Sequence, residues 1–153
     1  MAGNSRLATA IHVAGMLSFA DKVPLTSENI AQSVNTNAVV IRRIIGLLTK
    51  AAIVKVKMGV GGGACLAKSP ETINLADIYL ALDENSVFDV PQLEESHNCV
   101  LGKIVRPVLS EVLSEVELNL LENLRAITLA DVIARVHRRM LEKGICGENI
   151  KND

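Results

Sequence analysis

Residues 37–63, NAVVIRRIIGLLTKAAIVKVKMGVGGG, combine a helix pattern with a hairpin pattern. Asn37 stands where an N-cap belongs, and the apolar residues after it recur at helical spacing, which predicts a helix over 38–51. The residues predicted to face the core are Val40, Ile41, Ile44, Ile45, Leu47 and Leu48. β-Branched residues then alternate with lysines over 53–57 and run into the turn Gly59–Gly63, so a β-hairpin is predicted next.

Two further helix patterns precede this segment. Apolar residues recur at helical spacing over 4–20 and again over 26–34. The turn-prone residues 35–37 separate the second helix from the third. A helix, a short helix, a brief turn and a third helix followed by a hairpin predict a winged helix-turn-helix, whose third helix presents its N-terminal residues to a DNA groove.

The remainder of the chain is predicted to form a short helix, a loop and two more helices. Asn74 is expected to cap a helix over 72–82. Residues 83–98, which follow this helix, are polar and acidic. We therefore expect a winged helix-turn-helix DNA-binding domain over 1–82, a sensor or hinge loop over 83–98 and a helical dimerisation region over 99–153. The expected fold class is mainly α with a small β-hairpin wing.

A long amphipathic helix over 99–124 dominates the predicted dimerisation region. Its apolar positions are Val105, Leu109, Val112, Val116, Leu120 and Leu124, flanked by Val108, Leu113, Leu118 and Leu121. This face is wider than one small core requires, so one side is expected to pack on its own subunit and the other on a partner helix of a homodimer. Pro107 either kinks this helix or marks its start. A last helix is predicted over 128–142 and ends at Gly144.

Charge divides the chain, although its net charge is −1. Residues 1–70 hold eight Lys and Arg against two acidic residues, a net charge of +6, whereas residues 71–153 hold eight against fifteen, a net charge of −7. The positive charge of residues 1–70 predicts a polyanionic partner. Aromatic residues make up 2% of the chain, so the core must be aliphatic. The basic half lacks a platform of aromatic side chains on which unpaired bases could stack. Double-stranded DNA is therefore favoured as the partner over single-stranded nucleic acid or RNA.

Several classes of protein are excluded by the sequence. No apolar run approaches the roughly 18–20 residues of a membrane helix, and the N-terminus lacks a secretory signal pattern. A cytoplasmic protein without a membrane partner is therefore expected, and the three scattered cysteines fit reduced thiols there. No Ser/His/Asp set or rigid carboxylate pair supports an enzyme. The turn at 59–63 also lacks the Lys-Ser/Thr of a phosphate-binding loop.

Short motifs along nearly the whole chain match, in the same order, the sequence motifs of one protein family. They are Ser5-Arg6-Leu7-Ala8, Ser27-Glu28-Asn29-Ile30-Ala31, Val39-Val40-Ile41-Arg42-Arg43, Leu47-Leu48-Thr49-Lys50-Ala51, Gly59-Val60-Gly61-Gly62-Gly63, Leu66-Ala67-Lys68-Ser69-Pro70, Ile73-Asn74-Leu75-Ala76-Asp77-Ile78-Tyr79 and Ile127-Thr128-Leu129-Ala130-Asp131-Val132. In this series the sequence resembles the Rrf-type transcription regulators, the family of IscR and CymR. The resemblance implies a homodimeric bacterial repressor that binds a palindromic operator.

The sequence departs from this family at two places. The cluster-binding relatives carry three cysteines after the fourth helix, and only Cys99 matches here, since Leu93 and Val87 stand at the other two positions. One thiolate cannot hold an iron–sulfur cluster, so the chain is similar to the cluster-free, YwnA-like branch and no cofactor is expected. Ala64 and Cys65 replace an aromatic and a basic residue of many relatives, which either weakens wing packing or places a thiol near DNA.

The predicted DNA-contacting residues lie in the second helix, the turn, the third helix and the wing. They are Ser27, Asn35, Thr36, Asn37, Val39, Arg42, Arg43, Lys55, Lys57, Gly59, Val60 and Gly61. Backbone amides at a helix start can contact phosphate, and lysines beside a glycine turn supply charge at close approach. The alternative is a solvated charged surface on a winged-helix protein-interaction module that does not bind DNA.

Cys99 is the predicted redox sensor. The neighbouring His97, or the start of the long helix, can lower the pKa of its thiol and raise the thiolate fraction. Cys65 and Cys146 are candidate resolving partners. Three alternatives stay open: an inert cysteine, a metal site of His97 and Cys99 completed by the other subunit, and a small-molecule or protein effector acting in place of oxidation.

Overall fold

The computed structural model describes residues 5–82, Phe88 and residues 100–145. Six α-helices and one two-stranded antiparallel sheet form this part of the chain. The helices are α1 (Ser5–Phe19), α2 (Ser27–Val34), α3 (Ala38–Lys50), α4 (Leu75–Ala81), α5 (Val100–Arg125) and α6 (Leu129–Glu142). The strands are β1 (Val54–Lys57) and β2 (Gly63–Leu66), and a 3-10 turn at Pro70–Thr72 precedes α4. The predicted mainly helical fold with a hairpin wing is confirmed.

Helix α1 provides the surface on which the other elements pack. Its inward residues Ala10, Val13, Ala14 and Leu17 are buried. Helices α2, α3, α4 and α6 and strand β2 all contact it. The large side chains that are fully buried are Leu17, Ile30, Ile41, Ile44, Leu48, Ile53, Ile73, Ile78, Leu82 and Leu129, with Val13 and Val54. The core is therefore aliphatic, as the small number of aromatic residues predicts.

Capping bonds set the starts of α4 and α6. Asn74 and Asp77 form a capping box, in which each side chain accepts a hydrogen bond from the other residue's backbone amide. Thr128 and Asp131 form the same arrangement at α6. The backbone amide and the hydroxyl of Thr128 hold the pKa of the Asp131 carboxyl below its usual range. The predicted cap at Asn74 is thus confirmed, and Gly144, with φ +66°, follows the end of α6 as expected.

The wing is joined to the connection between α1 and α2 by a backbone bridge. The amide of Leu25 donates to the carbonyl of Ala64 at 2.9 Å, and the amide of Ala64 donates to the carbonyl of Leu25 at 2.8 Å. Gly63 adopts φ +148°, and a Cβ added there would lie 2.6 Å from the Leu25 carbonyl oxygen. Glycine is required at this position because a side chain would collide with the bridging backbone.

A second bridge joins the starts of α4 and α6. The amide of Leu75 donates to the carbonyl of Ile127 at 2.9 Å, and the amide of Leu129 donates to the carbonyl of Ile73 at 2.8 Å. Leu129 is fully buried at this junction. The bridge therefore attaches the C-terminal helix to the winged-helix core and fixes the end of α5.

Helix α5 is continuous and, at 26 residues, extends about 39 Å. Pro107 lies inside it, so the interpretation that Pro107 marks its start is wrong. Because Pro107 is exposed, water can hydrate the carbonyl of Lys103, which lacks the usual amide donor. The C-terminal part of α5 packs on the core through Leu124, and the Tyr79 hydroxyl donates to Glu117 Oε1 at 3.3 Å.

The N-terminal part of α5 leaves a row of apolar side chains exposed. They include Leu101, Val105, Val108, Val112 and Val116, which are 38–69% exposed. The predicted loop over 83–98 lies outside the described residues except for Phe88, and so does the segment after 145. Among the described helices, none combines the length and apolar composition needed to cross a membrane.

Replacing Gly63 by alanine is expected to destabilise the fold by about 2 kcal/mol or more, because of the strained φ and the collision with Leu25. Gly46→Ala is the matched control. Gly46 is exposed in α3 and nothing lies within 4 Å of the added Cβ, so this change should stabilise by about 0.5–1 kcal/mol. Urea unfolding of both variants measures the two effects. Shifts of the same sign and size would contradict the role given to Gly63.

Candidate nucleic-acid interface

The turn between α2 and α3 is held by backbone and side-chain hydrogen bonds. Asn35 adopts a left-handed conformation with φ 55° and ψ 53°, and its amide donates to the carbonyls of Ala31 and Gln32. The Asn37 side chain caps α3 by accepting from the amide of Val39 at 2.8 Å. Asparagine suits both positions, since it tolerates the left-handed region and supplies a capping oxygen. The predicted N-cap at Asn37 is confirmed.

Helix α3 has a buried face and a solvent face. The buried residues are Ile41, Ile44, Ile45 and Leu48. On the opposite side lie Val39, Arg43, Gly46 and Lys50, which recur at helical spacing and are all exposed. We call these four residues the outward stripe. It starts directly after the helix-turn-helix turn, in the part of a recognition helix that reaches base edges.

The prediction that Val40 faces the core is wrong, since its side chain is 43% exposed. It lies about 90° around the helix from the centre of the buried face, so it falls at the edge of that face. Val39, on the outward stripe, is 64% exposed. The first turn of α3 therefore presents two neighbouring valines to solvent.

Arg42 and Arg43 are both exposed, and their side chains have different partners. Arg42 forms an ion pair with Glu28 in the first turn of α2. The pKa of the Glu28 carboxyl lies below its usual range, first because its own backbone amide donates to it and then because the Arg42 guanidinium does. The same contact that lowers this pKa places the Arg42 guanidinium against a carboxylate of its own chain. Among the described residues, Arg43 makes no ion pair with a carboxylate.

The wing exposes the predicted charged and glycine positions. Lys55 and Lys57 are exposed on β1, and the tip residues Gly59, Val60 and Gly61 are exposed as well. The turn is closed by the amide of Gly62, which donates to the carbonyl of Gly59 at 2.9 Å. Strand β1 also contacts α3. The wing lysines therefore lie on the element that directly follows and adjoins the recognition helix.

Cys65 is buried in β2, with 6% of its surface exposed, and its thiol is free. Its burial leaves little of the thiol accessible to a partner, and the alternative that places this thiol near DNA stays a prediction. His97, Cys99 and Cys146 lie outside the described residues. Within the described residues, no three His, Cys, Asp or Glu side chains form a group that could hold a metal ion.

The predicted site residues lie on α2, the turn after it, α3 and the wing, and their contact with DNA stays a prediction. Asn35, Thr36 and Asn37 form the exposed turn, and Ser27 is half-buried at the start of α2. The sequence prediction omitted three residues of this surface, Glu28, Gly46 and Lys50. Helical spacing from Arg43 would have found Gly46 and Lys50. Glu28 is separated from Arg42 by fourteen positions, and no local pattern relates them.

Comparison with known proteins places this chain in a family. The model of the Rrf2 family, described as an iron-dependent transcriptional regulator, matches residues 4–135. YwnA of Bacillus subtilis strain 168, assigned as an HTH-type transcriptional regulator, is 38% identical over 130 residues, which cover 85% of this chain and 96% of YwnA.

Solved structures agree with this match. A crystal structure assigned to a DNA-binding protein is 38% identical, with a TM-score of 0.67, and the similarity covers 84% of this chain and 98% of that one. IscR of T. potens is 26% identical, with a TM-score of 0.57 and 82% coverage of both chains. Both the sequence match and the shared fold extend over most of the chain, which therefore belongs to the Rrf2 family of transcriptional regulators.

Proposed function

We propose that this regulator binds a palindromic site in double-stranded DNA as a homodimer and represses transcription there. The observation that carries the proposal is the outward stripe of α3, which is exposed between the helix-turn-helix turn and the wing. Its two cations, Arg43 and Lys50, match the charge of a phosphate backbone. Gly46 between them has no side chain, so the helix can approach the edges of the major groove closely.

The wing supplies a second contact. Lys55 and Lys57 carry positive charge on β1, and the glycines at the tip let the backbone approach phosphate without steric hindrance. Arg42 contributes less charge than its position suggests, because Glu28 neutralises it. The electrostatic contact with DNA then depends on Arg43, Lys50 and the wing lysines.

The exposed side of α5 supports the homodimer. Leu101, Val105, Val108, Val112 and Val116 recur at helical spacing along one side of the helix. A partner's α5 would cover this side and remove it from water. A two-fold dimer would place its recognition helices in major grooves about 34–36 Å apart, which corresponds to half-sites about 10 base pairs apart. Occupying such a site in a promoter would exclude the polymerase, which is the basis for proposing repression.

The description of the family names iron, and the described residues do not fit an iron site. Cys65 is buried, and no cluster of three metal-ligating side chains exists among the described residues. We propose instead that the signal is oxidation of Cys99, or a small molecule or protein effector that acts on the same region. The support is the position of Cys99 directly before α5, since a change there would act on the helix proposed to join the two subunits.

Replacing Arg43 by glutamine is expected to weaken DNA binding about fivefold at 0.1 M salt. The slope of log K against log salt should also fall by about 2, because each subunit of the dimer loses one phosphate contact. Fluorescence anisotropy over a series of salt concentrations measures both. The charge-matched control is the double variant Glu28→Gln with Arg42→Gln, which removes a neutral pair and should leave the slope unchanged. If the salt dependence of binding falls in the control but not in Arg43→Gln, Arg42 and not Arg43 contacts phosphate.

Replacing Val112 by aspartate is expected to weaken dimerisation at least a hundredfold, or by about 3 kcal/mol, since two unpaired charges would enter the apolar interface. Ser114→Asp is the control, because Ser114 is exposed about 160° around the helix from Val112. Sedimentation velocity gives the oligomeric state of each variant, and circular dichroism confirms that both are folded. A dimer of unchanged stability in Val112→Asp would place the interface elsewhere.

Oxidation by diamide or peroxide is expected to release the protein from DNA, and Cys99→Ser should abolish that release. Cys65→Ala is the control, since the buried thiol should not react. Genomic DNA selected by reduced and by oxidised protein identifies the bound sites, and a reporter carrying such a site in its promoter shows whether binding represses. Release that persists in Cys99→Ser would exclude this cysteine as the sensor. Failure of the reduced protein to select any duplex would favour a protein-interaction module.

A further inference from the structure

Val39 and Val40 form an exposed apolar pair at the start of the recognition helix. They follow Ala38 in the first turn of α3 and are 64% and 43% exposed. Large apolar side chains in solvent gain nothing from the fold, and β-branched residues are poor helix formers. The core does not require them, because Ile41, Ile44, Ile45 and Leu48 form the buried face of α3. Two valines at these positions therefore suggest a partner outside the chain.

The surroundings of this pair indicate what the partner is. Arg43 and Lys50 continue the same side of the helix, and the three exposed polar residues of the turn precede it. In residues 1–70 only two carboxylates occur, and one of them, Glu28, is paired with Arg42. A cationic border around a small apolar patch matches a polyanion that carries apolar groups in a groove. Duplex DNA has this chemistry, because phosphates border its major groove and thymine methyl groups lie within it.

The apolar side chain of valine limits which base it can contact favourably in the major groove. Its side chain has no donor or acceptor, so it cannot pair with the polar edge of guanine, cytosine or adenine. The C5-methyl group of thymine is the apolar group that a base displays in the major groove. The side-chain oxygen of Asn37 is engaged as the cap of α3, and Val39 and Val40 are the first exposed side chains within the helix itself.

We infer that Val39 and Val40 contact thymine C5-methyl groups at neighbouring base pairs of each half-site. This inference rests on the proposed DNA binding and adds to it the chemistry of base selection. The valines make the operator selective for thymine at these positions, and Arg43 and Lys50 hold the helix in the groove through phosphate. Selectivity thus comes from burial of methyl groups, whereas the overall affinity comes from charge.

The test changes the DNA and leaves the protein intact. A duplex is first selected from genomic fragments with the full chain, and each thymine of the shared site is then replaced singly by deoxyuridine, which removes only the methyl group. One or two replacements in each half-site are expected to weaken binding about fourfold, the ratio that corresponds to burial of one methyl-sized group. Replacements elsewhere should leave the affinity unchanged.

Protein variants connect the effect to the two valines. Val39→Ala and Val40→Ala should each weaken binding to the thymine duplex about sixteenfold, because both subunits lose the contact, and should lose the sensitivity to deoxyuridine at the matching position. Val23→Ala is the control, because Val23 is 62% exposed but lies between α1 and α2. It should bind both duplexes as the wild type does.

Three results would overturn the inference. If the protein binds its selected duplex but no deoxyuridine replacement weakens binding, the valines do not contact thymine methyl groups and the proposed function stands. The same holds if the deoxyuridine effect is equal in the wild type and in both alanine variants. If the protein selects no duplex, the proposed function and this inference are both wrong.

Discussion

Burial of one face of α1 is the interaction on which the rest of this structure depends. Ala10 and Ala14 are fully buried there, one helical turn apart, beside Val13 and Leu17. Small side chains at these positions let neighbouring elements approach closely, and α2, α3, α4, α6 and β2 all meet on this surface. A core with few aromatic residues has no bulky side chains to fill gaps, so its stability depends on such close aliphatic packing.

Two pairs of backbone hydrogen bonds fix the positions of the wing and of α6 on this packed core. The bridge between Leu25 and Ala64 attaches the wing to the connection before α2. The bridge between Asn74 and Thr128 attaches α6 to the start of α4. Each replaces solvent contacts of backbone groups with hydrogen bonds inside the protein. The wing and α6 are therefore held by elements that are distant in sequence.

The recognition helix itself depends on its neighbours to form. Gly46 costs about 1 kcal/mol relative to alanine, and the exposed valines Val39 and Val40 cost roughly half as much each. Burial of its four large aliphatic residues, at about 1.5–3 kcal/mol for each side chain, outweighs those costs. The solvent face of α3 can thus carry residues that are poor for a helix, because its buried face supplies the stability.

The sequence by itself determined the features that depend on local chemistry. The caps at Asn37 and Asn74, the turn at 35–37, the hairpin and the order of the helices were all predictable, because capping bonds, turn preferences and side-chain periodicity act over a few residues. That order of helices and hairpin predicted the winged helix-turn-helix, and the family motifs added the class of regulator. Of the outward stripe, Val39 and Arg43 were predicted, whereas Gly46 and Lys50 were omitted although helical spacing from Arg43 identifies them.

The tertiary structure alone decided which side chains meet and which stay in water. It paired Arg42 with Glu28, exposed Val40 at the edge of the α3 face, buried Cys65 and continued α5 through Pro107. Each outcome depends on the elements that pack nearby rather than on neighbours in sequence. Periodicity gives the direction in which a side chain points, but burial and pairing are set by whether a distant part of the chain covers that direction.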